Sequence, residues 1–222
     1  MSTILIRPFA ALKLLTFAAL AFLGACHFPG IQGNGEVVTE PRTVTDFSTV
    51  EAGGMFSIEW ATGAPGVSIT TDQNLLRHIT TTISGKKLRM KWDTQLRPTD
   101  GIKVKLSSPV LTGAELNGAV RFTARKLTGS SFVIEGNGAT RIMLDGAVTG
   151  LTASLNGASR LEAENLQTQT CEMAISGAGR AEVSATDSLR VAISGAGKVT
   201  YAGNPKSVEK NISGAGSIKR RD

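Results

Sequence analysis

The sequence predicts an all-β fold: a right-handed parallel β-helix, or solenoid, with coils of about 19 residues and a less regular N-terminal β region. Three observations carry this reading. Composition is the first: 222 residues with 25 glycines and only 5% aromatics, the rest rich in Val, Ile, Leu, Thr, Ser and Ala, favour short strands and tight turns over helices. The second is a repeat. Asn/Ser-Gly-Ala recurs around Gly118, Gly138, Gly157, Gly177, Gly195 and Gly214, at spacings of 20, 19, 20, 18 and 19 residues. The third is alternation on both sides of that glycine. Two residues before it stand Leu116, Gly136, Leu155, Ile175, Ile193 and Ile212; six before it, Thr112, Phe132, Leu151, Cys171, Leu189 and Val208. Four residues after it come Phe122, Ile142, Leu161, Ala181, Val199 and Ile218.

Each repeat therefore reads as a period-2 strand, a small-residue corner and a second period-2 strand. Units this short bury no apolar face alone, but stacked they share a continuous core. The coil length is not a multiple of six, which favours the right-handed helix over the hexapeptide-built left-handed one; an antiparallel meander is the alternative. The corner Asn and Ser residues form a polar ladder able to hydrogen-bond between coils.

Upstream of residue 111 the alternation persists without the strict repeat, in Phe56, Ile58 and Trp60, in Leu88, Met90 and Trp92, and in Ile102, Val104 and Leu106. These read as less regular coils or a capping sheet. The stretch DQNLLRHI, Asp72 to Ile79, reads as a helical turn with Asp72 as N-cap and Leu75, Leu76 and Ile79 on one face.

The first residues read as a secretion signal. Arg7 and Lys13 precede an apolar run from Leu14 to Ala25, 12 residues long and too short to span a bilayer. Its end, Leu23-Gly24-Ala25-Cys26, resembles a bacterial lipobox, which implies cleavage before Cys26 and acylation of that cysteine with diacylglyceryl and fatty acyl groups such as palmitate. Several acyl chains give a stable membrane anchor where one is marginal. His27 stands where an aspartate would favour inner-membrane retention, so the expected location is the cell envelope, anchored to the outer membrane. The expected organisation is a signal peptide over 1–25, a lipidated tether over 26–36, and a β-helical domain over 37–222 with regular coils over 111–222. Lipidation of Cys26 leaves Cys171 without a disulfide partner. Without residues 1–25 the chain carries 22 basic and 18 acidic side chains, a net +4.

The segment GNGEVVTEPRTVTDFSTVEAGGMFSIEW, the pair DQNLLRHI and GKKLRMKW, and the closing Ser-Gly-Ala-Gly series together resemble the family described as "putative auto-transporter adhesin, head GIN domain". The resemblance covers nearly all the chain after the leader. It implies a right-handed β-helical domain carried on bacterial lipoproteins and a role in adhesion; it brings no catalytic motif.

Chemistry-bearing motifs are few. Ser194-Gly195-Ala196-Gly197-Lys198 looks like a phosphate loop, but Ala192 and Val199 occupy the positions where a P-loop needs Gly and Ser/Thr. Gly136-Asn137-Gly138 lacks the third glycine and the helix of a dinucleotide fingerprint. His27 and His78 are the only histidines, so no metal site and no cofactor are expected. Cys171 lies in an apolar column and reads as a buried, inert thiol. Glu115 with Glu135, and Glu162 with Glu182, stack in columns, but a solenoid brings any two acids of one column close together, so surface charge is the plain reading.

One column stands out. Three residues after the corner glycine come Arg121, Arg141, Arg160, Arg180 and Lys198, five cations in succession on the outward face. Unit charges about 4.8 Å apart repel by roughly 1 kcal/mol even in water. Glu162 and Glu182 are placed to relieve Arg160 and Arg180. The column is either a solvated charge lattice or a linear site for an anionic glycan or envelope polymer; nucleic acid is not expected, because interleaved aromatics are missing. The sequence thus points to a non-enzymatic, membrane-tethered adhesion, ligand-binding or envelope-organising module. Two alternatives stand beside it: a β-helical carbohydrate-active enzyme with acids grouped near Asp72, Asp93 and Asp100, and a self-assembling envelope scaffold.

Overall fold

A computed structural model describes residues 30–221. The leader, Cys26 and His27 lie outside the described residues. The described chain is nearly all β and forms a β-solenoid of about five turns with an irregular N-terminal part, as the repeat predicts.

The regular strands stack in parallel with their corners aligned. On one face β10 (Gly113–Gly118) pairs with the C-terminal half of β11 (Arg121–Gly138), then come the matching half of β12 (Arg141–Gly157), β14 (Leu166–Gly177), β16 (Ser188–Gly195) and β18 (Ser207–Ser213). On the other face the starts of β11 and β12 are followed by β13 (Arg160–Ala163), β15 (Arg180–Ser184), β17 (Lys198–Ala202) and β19 (Ser217–Arg220). Register is strict enough that Gly118, Gly138 and Gly157 are direct neighbours, as are Gly177 and Gly195. A slip of one residue would turn every core side chain outward, so the alternation enforces the register.

The core is the set of inward columns. Leu116, Leu155, Ile175 and Ile193 are at most 3% exposed, and Phe122, Ile142, Leu161, Ala181 and Val199 are fully covered. Each buried Leu or Ile is worth about 1.5–3 kcal/mol against exposure. Gly136 interrupts the first column because its place is filled from beside it: a Cβ there would stand 2.6 Å from Thr140 Oγ1 and 3.3 Å from Leu155 Cδ2.

The irregular region contains both a coil and a cap. Strands β3 (Thr49–Gly54) and β4 (Ser57–Thr62) make a coil directly beneath β10 and β11, with Gly54 opposite Gly118. Beneath that coil lie β7 (Lys87–Trp92) and β9 (Lys103–Ser108), both parallel to it. The chain therefore lays down its second coil first, returns to build the outer one, and then climbs. Three antiparallel strands close this end: β6 (Ile79–Ser84) on β7, β5 (Gly66–Asp72) on β9, and β2 (Val37–Arg42) on β5. Arg42 folds over the edge, donating to the carbonyls of Leu76 and Ile79.

DQNLLRHI forms a 3-10 helix, Gln73–His78, with Leu75, Leu76 and Ile79 buried as expected. Asp72 holds the N-cap position but its side chain does not cap. The carboxylate instead accepts from the Gly35 and Thr99 backbone N–H groups at 2.8 and 2.9 Å and from the Thr99 hydroxyl at 2.7 Å. Those bonds hold residues 33–35 against the domain. Nearby, β1 (Ile31–Gln32) pairs with β8 (Leu96–Arg97). Residues 30–36, read from sequence as tether, are thus docked.

At the other end the inward positions of β18 are open: Val208 is 37% and Ile212 42% exposed. Lys210 takes the column place of Val191, and its Nζ lies 5.4 Å from the Tyr201 ring centroid. Arg220 follows Tyr201 in its column. Inward-facing charges of this kind discourage strand addition at an edge.

Candidate ligand-binding face

Strand pairing places the five cations of the basic column in one row. Arg121 opposes Arg141, Arg141 opposes Arg160, Arg160 opposes Arg180, and Arg180 opposes Lys198. Successive members sit one strand spacing apart, about 4.8 Å. Below Arg121 the row continues through Ser57 to Lys103, and above Lys198 it ends at Ser217.

The row is not uniform. Arg160 Nε lies 2.7 Å from Glu162, and its Nη2 lies 3.8 Å from Glu182. Both glutamates turn to the half-buried Arg160, whereas the sequence reading shared them between Arg160 and Arg180. Arg121, Arg141, Arg180 and Lys198 are exposed and form no ion pair among the described residues. Two free pairs therefore flank one neutralised rung.

The strand face before the corner glycine carries a column of acids. Glu51, Glu115 and Glu135 are stacked in register. Arg89 grips Glu51 through two contacts of 2.8 Å, and its guanidinium holds the Glu51 carboxyl below the usual carboxylate range. Lys87 Nζ lies 3.5 Å from both Glu51 and Glu115. Beside them the Asn117 amide donates to Glu115 at 3.3 Å, that of Asn137 to Asn117 at 2.9 Å, and that of Asn156 to Asn137 at 2.7 Å. The expected polar ladder is real over these three rungs. It ends at Ser176, because a serine hydroxyl is too short to bridge two strands.

The remaining motifs have structural partners. The amides of the phosphate-loop look-alike are spent between coils: Ala196 N–H donates to Gly177 O and Lys198 N–H to Gly179 O, both at 2.9 Å. His78 Nδ1 faces Asp93 at 3.1 Å, and Arg77 donates to its Nε2 at 3.2 Å. Asp100 pairs with Lys103 at 2.6 Å, and Asp72 is the buried acceptor described above. The three acids that the enzyme alternative needed are each engaged with a different partner. Among the described residues no group of three or more His, Cys, Asp or Glu side chains is arranged to hold a metal ion. Cys171 is 2% exposed, and burial, with Glu172 beside it, pushes its thiol up to about 12.

The protein is thus a β-solenoid with a row of aligned cations on one strand face and a column of acids on another. The chain belongs to the family described as "putative auto-transporter adhesin, head GIN domain", whose model matches residues 46–205. Solved structures share the fold. One described as a putative adhesin from Bacteroides fragilis has a TM-score of 0.73 at 22% identity, covering 86% of this chain and 100% of that one. A putative adhesin from Parabacteroides merdae has a TM-score of 0.52 at 19% identity, covering 87% and 99%. A structure described as a putative lipid binding protein from Parabacteroides distasonis has a TM-score of 0.52 at 24% identity, covering 87% and 100%. No curated protein matches the chain.

Proposed function

We propose that this protein is a non-enzymatic adhesion module of the cell envelope, held to the outer membrane through lipidated Cys26, whose cationic face binds an anionic glycan or envelope polymer. The observation that carries the reading is the register of Arg121, Arg141, Arg160, Arg180 and Lys198, with four of the five free of ion pairs among the described residues. Like charges held in a row by the backbone repel at every rung, and an extended polyanion removes that repulsion along the whole row at once. A rigid solenoid loses no backbone freedom on binding, which favours weak contacts summed over length.

Binding of polygalacturonate and polyphosphate to the purified protein, at low and high salt, tests the reading. Arg121, Arg141, Arg180 and Lys198 are replaced by serine in a companion variant. Binding that weakens with salt and falls at least about tenfold in the variant supports it. Salt-insensitive binding, or binding unchanged in the variant, overturns the cationic-face reading, and turnover of a glycan overturns the non-enzymatic one. Palmitate labelling of cells that is lost in Cys26→Ala checks the anchor.

A further inference from the structure

Strand β11 carries an irregularity at the far edge of the cationic face, where β13, β15 and β17 of the other coils end at Ala163, Ser184 and Ala202. Ala124 opposes Leu144, but Leu127 opposes Gly146, so Arg125 and Lys126 together face the single residue Asp145. Two residues against one is a β-bulge, a device that re-aims side chains. Lys126 sits at φ 56°, the only non-glycine among the described residues with a positive φ. That conformation costs a residue with a side chain about 1–2 kcal/mol. Packing does not repay it: Arg125 and Lys126 are exposed, and neither forms an ion pair or side-chain hydrogen bond among the described residues. The next coil makes this corner with Gly146 at φ 130°, whereas here the corner carries an exposed cation.

The bulge lies on the same strand as the first rung of the column. Along β11, Arg121 and Arg125 are separated by four residues, a rise of about 13 Å at roughly 3.3 Å each. Arg121 has Arg141 beside it on β12, and Arg125 has Lys126. Each pair presents charge to one anion, the first as two forked guanidiniums and the second as a fork beside a point charge. Between the pairs lie Thr123 and Met143, in register with each other, and Met143 is 39% exposed. The nearest acids by register are Asp145 opposite the bulge, Glu59 beneath Thr123 and Glu162 above Met143; Glu162 is taken by Arg160, and the other two form no ion pair among the described residues. Four unpaired cations against two unpaired acids leave an excess of two.

We infer that Arg121 with Arg141, and Arg125 with Lys126, are two phosphate subsites for a ligand bearing phosphates at the two ends of a disaccharide-sized headgroup. The inference rests on the proposed cationic face and names the chemistry it selects. A phosphomonoester carries a charge of about −1.5 to −2 at neutral pH and three acceptor oxygens, so one phosphate engages both members of a pair, where a carboxylate engages one fork. Met143, exposed between the pairs, covers the apolar face of the sugar. A bisphosphorylated glycolipid at a membrane surface and a soluble phosphorylated glycan share this chemistry.

Calorimetric titration of the purified protein with a glucosamine disaccharide phosphorylated at both ends, and with each monophosphorylated analogue, tests the assignment. The expected result is binding of the bisphosphate at least about tenfold tighter than either monophosphate. Arg125→Ser with Lys126→Gly loses that preference, as does Arg121→Ser with Arg141→Ser, whereas Lys91→Ser, at an exposed cation on β7 outside the row, keeps it. Glycine takes up φ 56° without strain, so a thermal melt at least as high as that of the parent shows that the bulge variant is folded. Equal affinity for the bisphosphate and the monophosphates, or a preference that survives the bulge variant, overturns the inference. Polygalacturonate binding without phosphate selectivity overturns it while leaving the cationic-face reading intact; failure of every polyanion to bind overturns both. Co-sedimentation with phosphatidylcholine vesicles containing a bisphosphorylated glycolipid assigns the ligand to a lipid headgroup, and binding of the soluble disaccharide alone assigns it to a free glycan.

Discussion

The carbonyl oxygen of Gly177 stands 2.7 Å from the point where a Cβ on Gly195 would fall. That oxygen is fixed, because it already accepts from Ala196 N–H at 2.9 Å, and Gly195 itself lies at φ +118°. Alanine at 195 therefore meets an immovable backbone atom and a conformation closed to it. Gly85, in the turn between β6 and β7, has φ +60° but nothing within 4 Å of its Cβ position. Gly195→Ala is expected to cost at least about 3 kcal/mol or to prevent folding, and Gly85→Ala only about 1 kcal/mol. Urea denaturation of the two variants measures the difference; equal costs would show that the close approach contributes nothing.

The second glycine of the same corner serves packing. A Cβ on Gly197 would lie 2.8 Å from Ile175 Cγ2 and 3.0 Å from Ile193 Cγ2. Coils whose inward residue is leucine, Leu116 and Leu155, have Val120 and Ser159 at the equivalent corner position, whereas Ile175, Ile193 and Ile212 go with Gly179, Gly197 and Gly216. The branch methyl of isoleucine takes the room that a corner side chain would need. Gly197→Ala is expected to destabilise by about 1–3 kcal/mol, and Ile175→Leu with Ile193→Leu in the same chain to recover part of it. A triple variant no more stable than Gly197→Ala alone would refute this exchange of volume.

Asp72 sets an acid limit on the docking of residues 33–35. Burial raises its carboxyl pKa, but the hydroxyl and N–H of Thr99 and the N–H of Gly35 more than offset this, and the result is lower than the ordinary value of 3.8. A depressed folded-state pKa gives stability that is fully present above the unfolded value and is lost as pH falls through the folded one. The contribution is therefore constant near neutrality and disappears only below about pH 4. Asp72→Asn leaves donors facing donors and is expected to cost about 2–4 kcal/mol at pH 7, and the cost should shrink as pH falls through 4. Amide exchange at Gly35 and Thr99 should quicken in the variant. A cost that stays the same at pH 3 would show that the charge is irrelevant.

The repeat made the regular coils legible because inward columns and corner glycines recur in phase from Gly118 to Gly214. It stopped short of β3 and β4, since Ala52-Gly53-Gly54 lacks the Asn/Ser-Gly-Ala signature although Gly54 stands in register with Gly118. Nothing in the alternation says that β7 and β9 stack outside the earlier coil, because spatial order depends on how strands are joined and not on which side chains face inward. The cationic column was legible for the same reason as the core: its residues fall at one offset from the glycine. Its capture by acids was only half legible, as the choice of Arg160 over Arg180 depends on rotamers. The bulge at Arg125 and Lys126 makes the spacing of its coil 20 where the next has 19, without marking where the extra residue falls.

Cys171 gives a direct measure of how tightly the middle coils stay closed. Its side chain continues the column of Leu151 and Leu189, which oppose it in register, and the thiol is displaced from the ordinary 9.0 to about 12. At pH 8 that leaves about a thousandfold less thiolate than an ordinary cysteine has, and burial blocks what remains. Labelling by a maleimide should therefore be negligible in the native protein and stoichiometric in denaturant. Under native conditions it should proceed only through opening of the strands around β14, at a rate that rises with urea in step with unfolding. A destabilising change at the neighbouring corner, Gly195→Ala, should accelerate it if that variant folds at all. Rapid labelling of the unperturbed native protein would mean that this part of the solenoid opens on its own, and that the column is not the closed core its register implies.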